Sequence, residues 1–174
     1  MKYLVKFFVV TFFLIISTSA FAEQKIVVLD MNYVLNKSKA GKGGQEFLEK
    51  QFKDNAKELS NMEKTLRKEE TELLKQKTVL SKEEYSKRTD SLRKKVNEYQ
   101  SKSRSSLDDL AKKRAEARSV MLSKIEPILD SYINENNISL VLYKKHVLGG
   151  SKENDITDII VEKLDKEFPS LNLQ

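Results

Sequence analysis

The chain has 174 residues, with 32 Lys and Arg against 26 Asp and Glu for a net charge of +6, one His and no Cys. The lack of Cys excludes a disulfide framework and a lipid-modified N-terminal cysteine. The basic excess favours acidic polypeptides, anionic lipid headgroups or nucleic acid as partners, all through non-specific electrostatics.

The first 22 residues have the three parts of an export signal: Lys2 and Lys6, the apolar run Phe7 to Ile16, and the small-residue end Ala20-Phe21-Ala22. The strictly apolar run is about half of the ~20 residues that a membrane-spanning helix needs, so the pattern predicts cleavage before Glu23. Cleavage removes two lysines and no acid, leaving 30 basic against 26 acidic side chains, a net charge of +4. The product is exported, which for a bacterial chain means the periplasm, and export argues against a nucleic-acid partner.

From Lys25 to Leu29 the run Lys-Ile-Val-Val-Leu is β-branched and apolar, as in a strand covered on both sides. Asn32 reads as a cap for a short Tyr33 to Asn36 helical turn. Lys37 to Gly44 holds three of the five glycines and reads as a flexible hinge. Gly41-Lys42 is not a phosphate cradle: that pattern needs an earlier Gly and a hydroxyl residue after the Lys, where Gly43 stands.

Gln45 to Tyr132 contains no Gly and a single Pro, Pro127, and reads as helix nearly throughout. It is too polar to form a core of its own. Phe52, Leu59, Leu66, Leu73 and Leu80 recur every seven residues, with Leu48 and Met62 at the alternate spacing of a coiled-coil seam. The alternate positions then become Glu69 and Gln76, which predicts a seam that weakens with distance and a mobile far end. Ser81-Lys82-Glu83-Glu84 is a capping box, so a second helix starts there and the tip falls near 77–81. The returning seam runs through Tyr85, Leu92, Val96 and Tyr99, then after a stutter at Ser103 through Leu107, Ala111, Arg114, Arg118, Met121, Ile125, Ile128 and Tyr132. Acid-before-base pairs four apart (Glu83 with Lys87, Glu84 with Arg88, Asp90 with Lys94, Asp108 with Lys112, Asp109 with Lys113) support it locally.

Near the tip, Lys75, Lys77, Lys82, Lys87, Arg88, Arg93, Lys94 and Lys95 form either a contact surface for acidic clients or phosphate-bearing lipid, or an ordinary solvated helix face. Pro127 is expected to kink or restart the helix. Ile138 to Tyr143 and His146 to Leu148 then read as two further strands, and Asp155 caps a last amphipathic helix ended by Pro169. The lone His146 has no acid partner or metal spacing near it, so neither an enzyme nor a cofactor is indicated.

The fold class is therefore α+β, predominantly α: a discontinuous body from 23–44 and 127–174, with the hairpin of 45–126 inserted. A body of that size sits near the lower limit of self-sufficient domains, so other copies are expected to complete it. Its candidate oligomer core is Ile26, Val28, Leu140, Leu142, Val147, Ile156 and Ile160.

The Lys-Ile-Val-Val-Leu strand, the Lys/Glu-rich hairpin, the Leu140-Val141-Leu142 strand and the Asp155-Ile156-Thr157-Asp158 helix start resemble the Skp/OmpH periplasmic chaperones. That resemblance implies a homotrimer whose β body carries three helical tentacles around a cavity. It implies an ATP-independent holdase that takes unfolded outer-membrane proteins as clients. The basic tip is only loosely comparable to the lipopolysaccharide-binding surface of some members, so that site is not carried over, and anionic lipid or lipopolysaccharide is a candidate partner on the charge of the tip alone. The alternative function is a structural coiled-coil envelope protein without chaperone activity.

Overall fold

The computed structural model describes residues 24–173, so the export signal and its cleavage point lie outside the described residues. Strand β1 (Lys25–Leu29) leads into helix α1 (Met31–Lys37) and two long helices, α2 (Lys39–Lys75) and α3 (Lys82–Glu135). Strand β2 (Ile138–Tyr143), short 3-10 turns at Lys144–His146 and Lys152–Asn154, and helix α4 (Thr157–Glu167) complete the chain. The fold is α+β and predominantly α.

β1 and β2 pair in parallel, with Ile26 opposite Leu140, Val27 opposite Val141 and Val28 opposite Leu142. Parallel neighbours need a long crossover, and here the crossover is the whole helical arm. Because side chains alternate along a strand, Val27 and Leu29 turn into the core while Ile26 and Leu140 stay exposed on the opposite face. The core unites three stretches of sequence: Val34 and Leu35 of α1, Met121, Ile125 and Ile128 of α3, and Ile156, Ile160 and Leu164 at α4. On the free side of β1 the Ile156 amide donates to the Val28 carbonyl at 3.0 Å, so the sheet gains a partial third neighbour there.

The glycine hinge is corrected to helix. Ser38 is fully buried and caps α2, its Oγ accepting the Gly41 amide at 3.2 Å. Gly41, Gly43 and Gly44 all lie inside the first turns of α2. Gly41 is required by contact rather than flexibility, since a Cβ there would stand 2.0 Å from the Leu35 carbonyl oxygen. The Asp165 carboxylate of α4 accepts the Lys39 amide at 2.6 Å, placing a negative charge on the positive end of α2.

Three more expectations change. Asp30, not Asn32, caps α1, its carboxylate accepting the Tyr33 amide at 2.9 Å. Pro127 neither breaks nor restarts α3: it lies on the exposed side, where water can satisfy the Ser123 carbonyl it leaves free, and buried Ile125 and Ile128 hold the helix on either side. No strand forms at His146–Leu148: the place beside Val28 of β1 is taken by Asp155-Ile156, and the chain coils into a 3-10 turn at Lys144–His146, where Lys144 pairs with Asp155 at 2.6 Å. α3 ends on Asn136, followed by Asn137 at φ 51°, the left-handed position that Asn tolerates and that commonly closes a helix.

The two root glycines give opposite expectations. Gly41→Ala must push the α1–α2 turn apart and should cost about 1–3 kcal/mol, whereas Gly43→Ala, with nothing within 4 Å of its new Cβ, should gain about 0.5–1 kcal/mol by helix propensity. Thermal melting of the two variants beside the unaltered chain checks the sign of each.

Candidate functional site

Two surfaces stand apart from the packed body: the arm made by α2 and the first part of α3, and the outer face of the sheet. The arm reverses across 76–81, where the Ser81 Oγ accepts the Glu84 amide at 3.2 Å and starts α3. At about 1.5 Å per residue α2 alone is roughly 55 Å long, and most of its residues are exposed.

The returning seam keeps a seven-residue beat without a stutter. Tyr85, Leu92, Tyr99, Ser106 and Lys113 form one row, and Thr89, Val96, Ser103, Leu110 and Ala117 the other, all at least half-buried. Leu107 is 60% exposed and Ala111 is exposed too, while Arg114 and Arg118, also exposed, line an open groove at the root of the arm, which corrects their placement in the seam itself. The shift in phase comes only between Ala117 and Met121, where α3 leaves its partner and enters the body core. On α2, Phe52 keeps the heptad phase yet is 54% exposed.

Polar residues on and beside the seam are tied across the hairpin. Lys95 reaches Glu69 at 2.6 Å, Arg88 donates to Gln76 at 2.5 Å, Lys113 donates to Gln51 at 3.2 Å, and Lys102 pairs with Glu58. These contacts displace the pairs expected along α3: Arg88 and Lys113 turn to α2, and Asp90 pairs with Arg93 at 3.6 Å. Ion pairs within α2 join Glu49 to Lys53 and Glu63 to Arg67. Exposed pairs contribute little each, about 0–1 kcal/mol, but together they favour one register for a seam whose apolar rows are interrupted by polar residues.

The tip cations do not form one cluster. Arg88 and Lys95 line a groove of about 540 Å3 together with Glu69, Glu72 and Lys68, a surface of mixed sign. Lys87 and Lys94 lie one heptad apart in an adjacent row, and Lys75, Lys77 and Lys82 flank the turn, all exposed. Of the candidate oligomer residues, Ile26, Leu140 and Leu142 are exposed on the outer sheet face, with Val28 half-buried between them. Val147 is half-buried in the turn beyond β2, whereas Ile156 and Ile160 belong to the core of this chain itself.

Sequence reasoning missed the polar knot that ties the sheet to α4. Asp155 Oδ1 accepts both the Thr157 amide at 3.0 Å and the Thr157 hydroxyl at 2.5 Å, while that buried hydroxyl accepts the Asp30 amide at 2.9 Å. Asp155 Oδ2 holds Lys144. The capping residue by backbone position is Ile156, so Asp155 serves α4 from one residue further out. The only signal for the knot was the Asp-Ile-Thr sequence, a local side-chain turn whose long-range partners no spacing reveals.

A model of the family described as outer membrane protein (OmpH-like) matches residues 25–164, from the first strand to the middle of α4. The chain belongs to the OmpH-like family. It is 26% identical over 170 residues to a Skp-like protein of Pseudomonas aeruginosa, covering 95% of this chain and 99% of that one. A crystal structure of a Caulobacter crescentus protein described as an outer membrane chaperone (OmpH-like) has the same fold, with TM-score 0.81 and 19% identity over 87% of this chain and 89% of that one. Among the described residues of this OmpH-like chain, no group of three or more His, Cys, Asp or Glu is placed to hold a metal, and no helix is long and apolar enough to cross a membrane.

Burial acts to raise the Asp155 carboxyl, but Lys144 and the two bonds from Thr157 outweigh it and hold the group below its ordinary value of 3.8. The same ion pair raises Lys144. A depressed acid contributes stability that is complete above its unfolded value and is lost as pH falls through the folded one. Asp155→Asn should therefore lower the melting temperature at pH 7 by a few degrees, and the gap to the unaltered chain should narrow steadily below about pH 4. Melting curves from pH 7 to pH 2 measure that gap.

Proposed function

We propose that this chain is an ATP-independent holdase chaperone of the periplasm that binds unfolded outer-membrane proteins and keeps them from aggregating on the way to the outer membrane. Membership of the OmpH-like family supports a chaperone role in general. The observation that carries the finer reading is the arm: 37 residues of α2 and most of the 54 of α3 are given to a projection with a narrow seam, interrupted by polar residues, and long exposed faces. Such a surface offers many weak contacts and no deep one. A client enclosed by several arms is held by avidity, and it leaves when folding in the membrane offers a lower free energy.

Enclosure needs more than one arm, and the outer sheet face supplies a means. Ile26, Leu140 and Leu142 leave an apolar face open on a sheet that has two strands among the described residues, which is marginal alone. We assign this face to a homotrimer contact. The tip cations serve as the client-contact surface, and anionic lipid or lipopolysaccharide is the further ligand their chemistry suits.

At stoichiometric ratios without ATP, the mature chain should suppress light scattering by an unfolded β-barrel protein diluted from urea; no suppression at any ratio eliminates the holdase reading. Reversing Lys82, Arg88 and Lys94 to Glu should weaken client binding roughly tenfold at low salt and much less at high salt, and unchanged affinity returns these residues to ordinary solvated surface. Leu140→Asp should convert a trimeric sedimentation coefficient to a monomeric one at micromolar concentration, while a trimer that survives places the contact elsewhere.

A further inference from the structure

The root of the arm carries a groove that neither the seam nor the body core fills. It encloses about 530 Å3 and is lined by Leu35, Leu48, Phe52, Leu110, Met121 and Leu171. That volume falls within the roughly 300–1,000 Å3 of sites that hold ligands. The groove explains why Phe52 keeps the heptad phase and is still 54% exposed.

One occupant is already in place. After α4 the chain has no regular secondary structure through Leu173, and it passes over the first turns of α2. A Cβ on Gly44 would lie 3.1 Å from Leu171 Cδ2 and 3.8 Å from Leu173 Cδ1, so two leucines two positions apart converge on one point of the helix. Asn172 between them is exposed. In an extended chain, residues i and i+2 share a side. Leu171 lines the groove and Leu173 packs beside it over Gly44, itself part of the wall, so the segment offers apolar side chains at alternate positions with the polar residue between them left in water.

We infer that the root groove is a docking site for an extended polypeptide segment with apolar residues at alternate positions, and that Leu171-Asn172-Leu173 is its built-in competitor. The inference rests on the holdase reading and adds to it a place and a pattern, that of a β-strand with one apolar face. Leu171 is one of the residues that line the groove, which is open to solvent. Arg114 and Arg118 stand in the wall against the single Glu49, which favours acidic residues at the polar positions of the guest. Because the groove is open, the guest backbone keeps its water and need not find hydrogen-bond partners in the protein.

The probe is a fluorescein-labelled peptide, Leu-Asp-Leu-Asn-Leu-Asp-Leu, followed by anisotropy beside an isomer with its four leucines contiguous. The alternating peptide should bind the unaltered chain more tightly than the isomer. Phe52→Ser, an exposed position, should weaken binding about tenfold, and the pair Leu171→Ser with Leu173→Ser should tighten it several-fold. Methyl NMR on the unaltered chain gives a readout independent of those variants: the through-space contact between the Leu171 methyls and Gly44 should be lost when peptide is bound. Equal affinity for Phe52→Ser, or a Leu171–Gly44 contact that persists under saturating peptide, overturns the inference. Suppression of β-barrel aggregation, scored separately, tests the holdase reading, so a chain that suppresses aggregation but fails these tests loses the groove alone.

Discussion

The parallel pairing of β1 with β2 governs this molecule. Two antiparallel strands could have been joined by a tight turn, but parallel strands oblige the chain to travel away and return to the same end of its partner. This chain spends the journey on two long helices, and the price of ending it correctly is met at the root. Ser38, Gly41 and Asp165 fix where α2 starts, while Met121, Ile125 and Ile128 carry α3 back through the core. The arm is therefore cantilevered from a body built around its own base.

Along that arm, specificity of pairing has been separated from strength. Serines at 103 and 106 and Lys113 occupy positions where a strong coiled coil would carry leucine. Cross-hairpin contacts such as Lys95 with Glu69 and Arg88 with Gln76 then hold one register without adding much free energy. A hairpin with a strongly apolar seam would associate with its neighbours along its length. A narrow seam interrupted by polar residues keeps two helices together and leaves their outer faces unoccupied.

Much of this was legible in the sequence. The strand at Lys25–Leu29, the Ser81 capping box and the heptad row on α2 follow from local patterns that the tertiary structure leaves intact. Glycines misled, because a run of them is read as freedom, whereas Gly41 is present for lack of a Cβ beside the Leu35 carbonyl. The returning seam was misread for a related reason: Leu107 attracts attention as an apolar residue, but the helix keeps its phase through Ser103 and Ser106 and leaves Leu107 outside. The tip cations were visible as a list, yet their division between a mixed-sign groove and an outer row depends on how two helices are rotated against each other. The Asp30–Asp155–Thr157 knot and the groove beside Phe52 depend on contacts across the whole chain, and single-sequence patterns carry no such information.

The 127 residues that separate Asp30 from Thr157 also bear on how the chain reaches this structure. Closing a disordered loop of that length before any long-range contact is made is entropically costly and slow. The hairpin, by contrast, is built from local helices joined by a turn of a few residues, and such elements form in microseconds. Once α2 and α3 have zipped, their two base ends are neighbours, and the strands attached to them meet as the termini of a short, stiff clip. The projection that faces outward in the finished protein is thus also the jig on which its body is assembled.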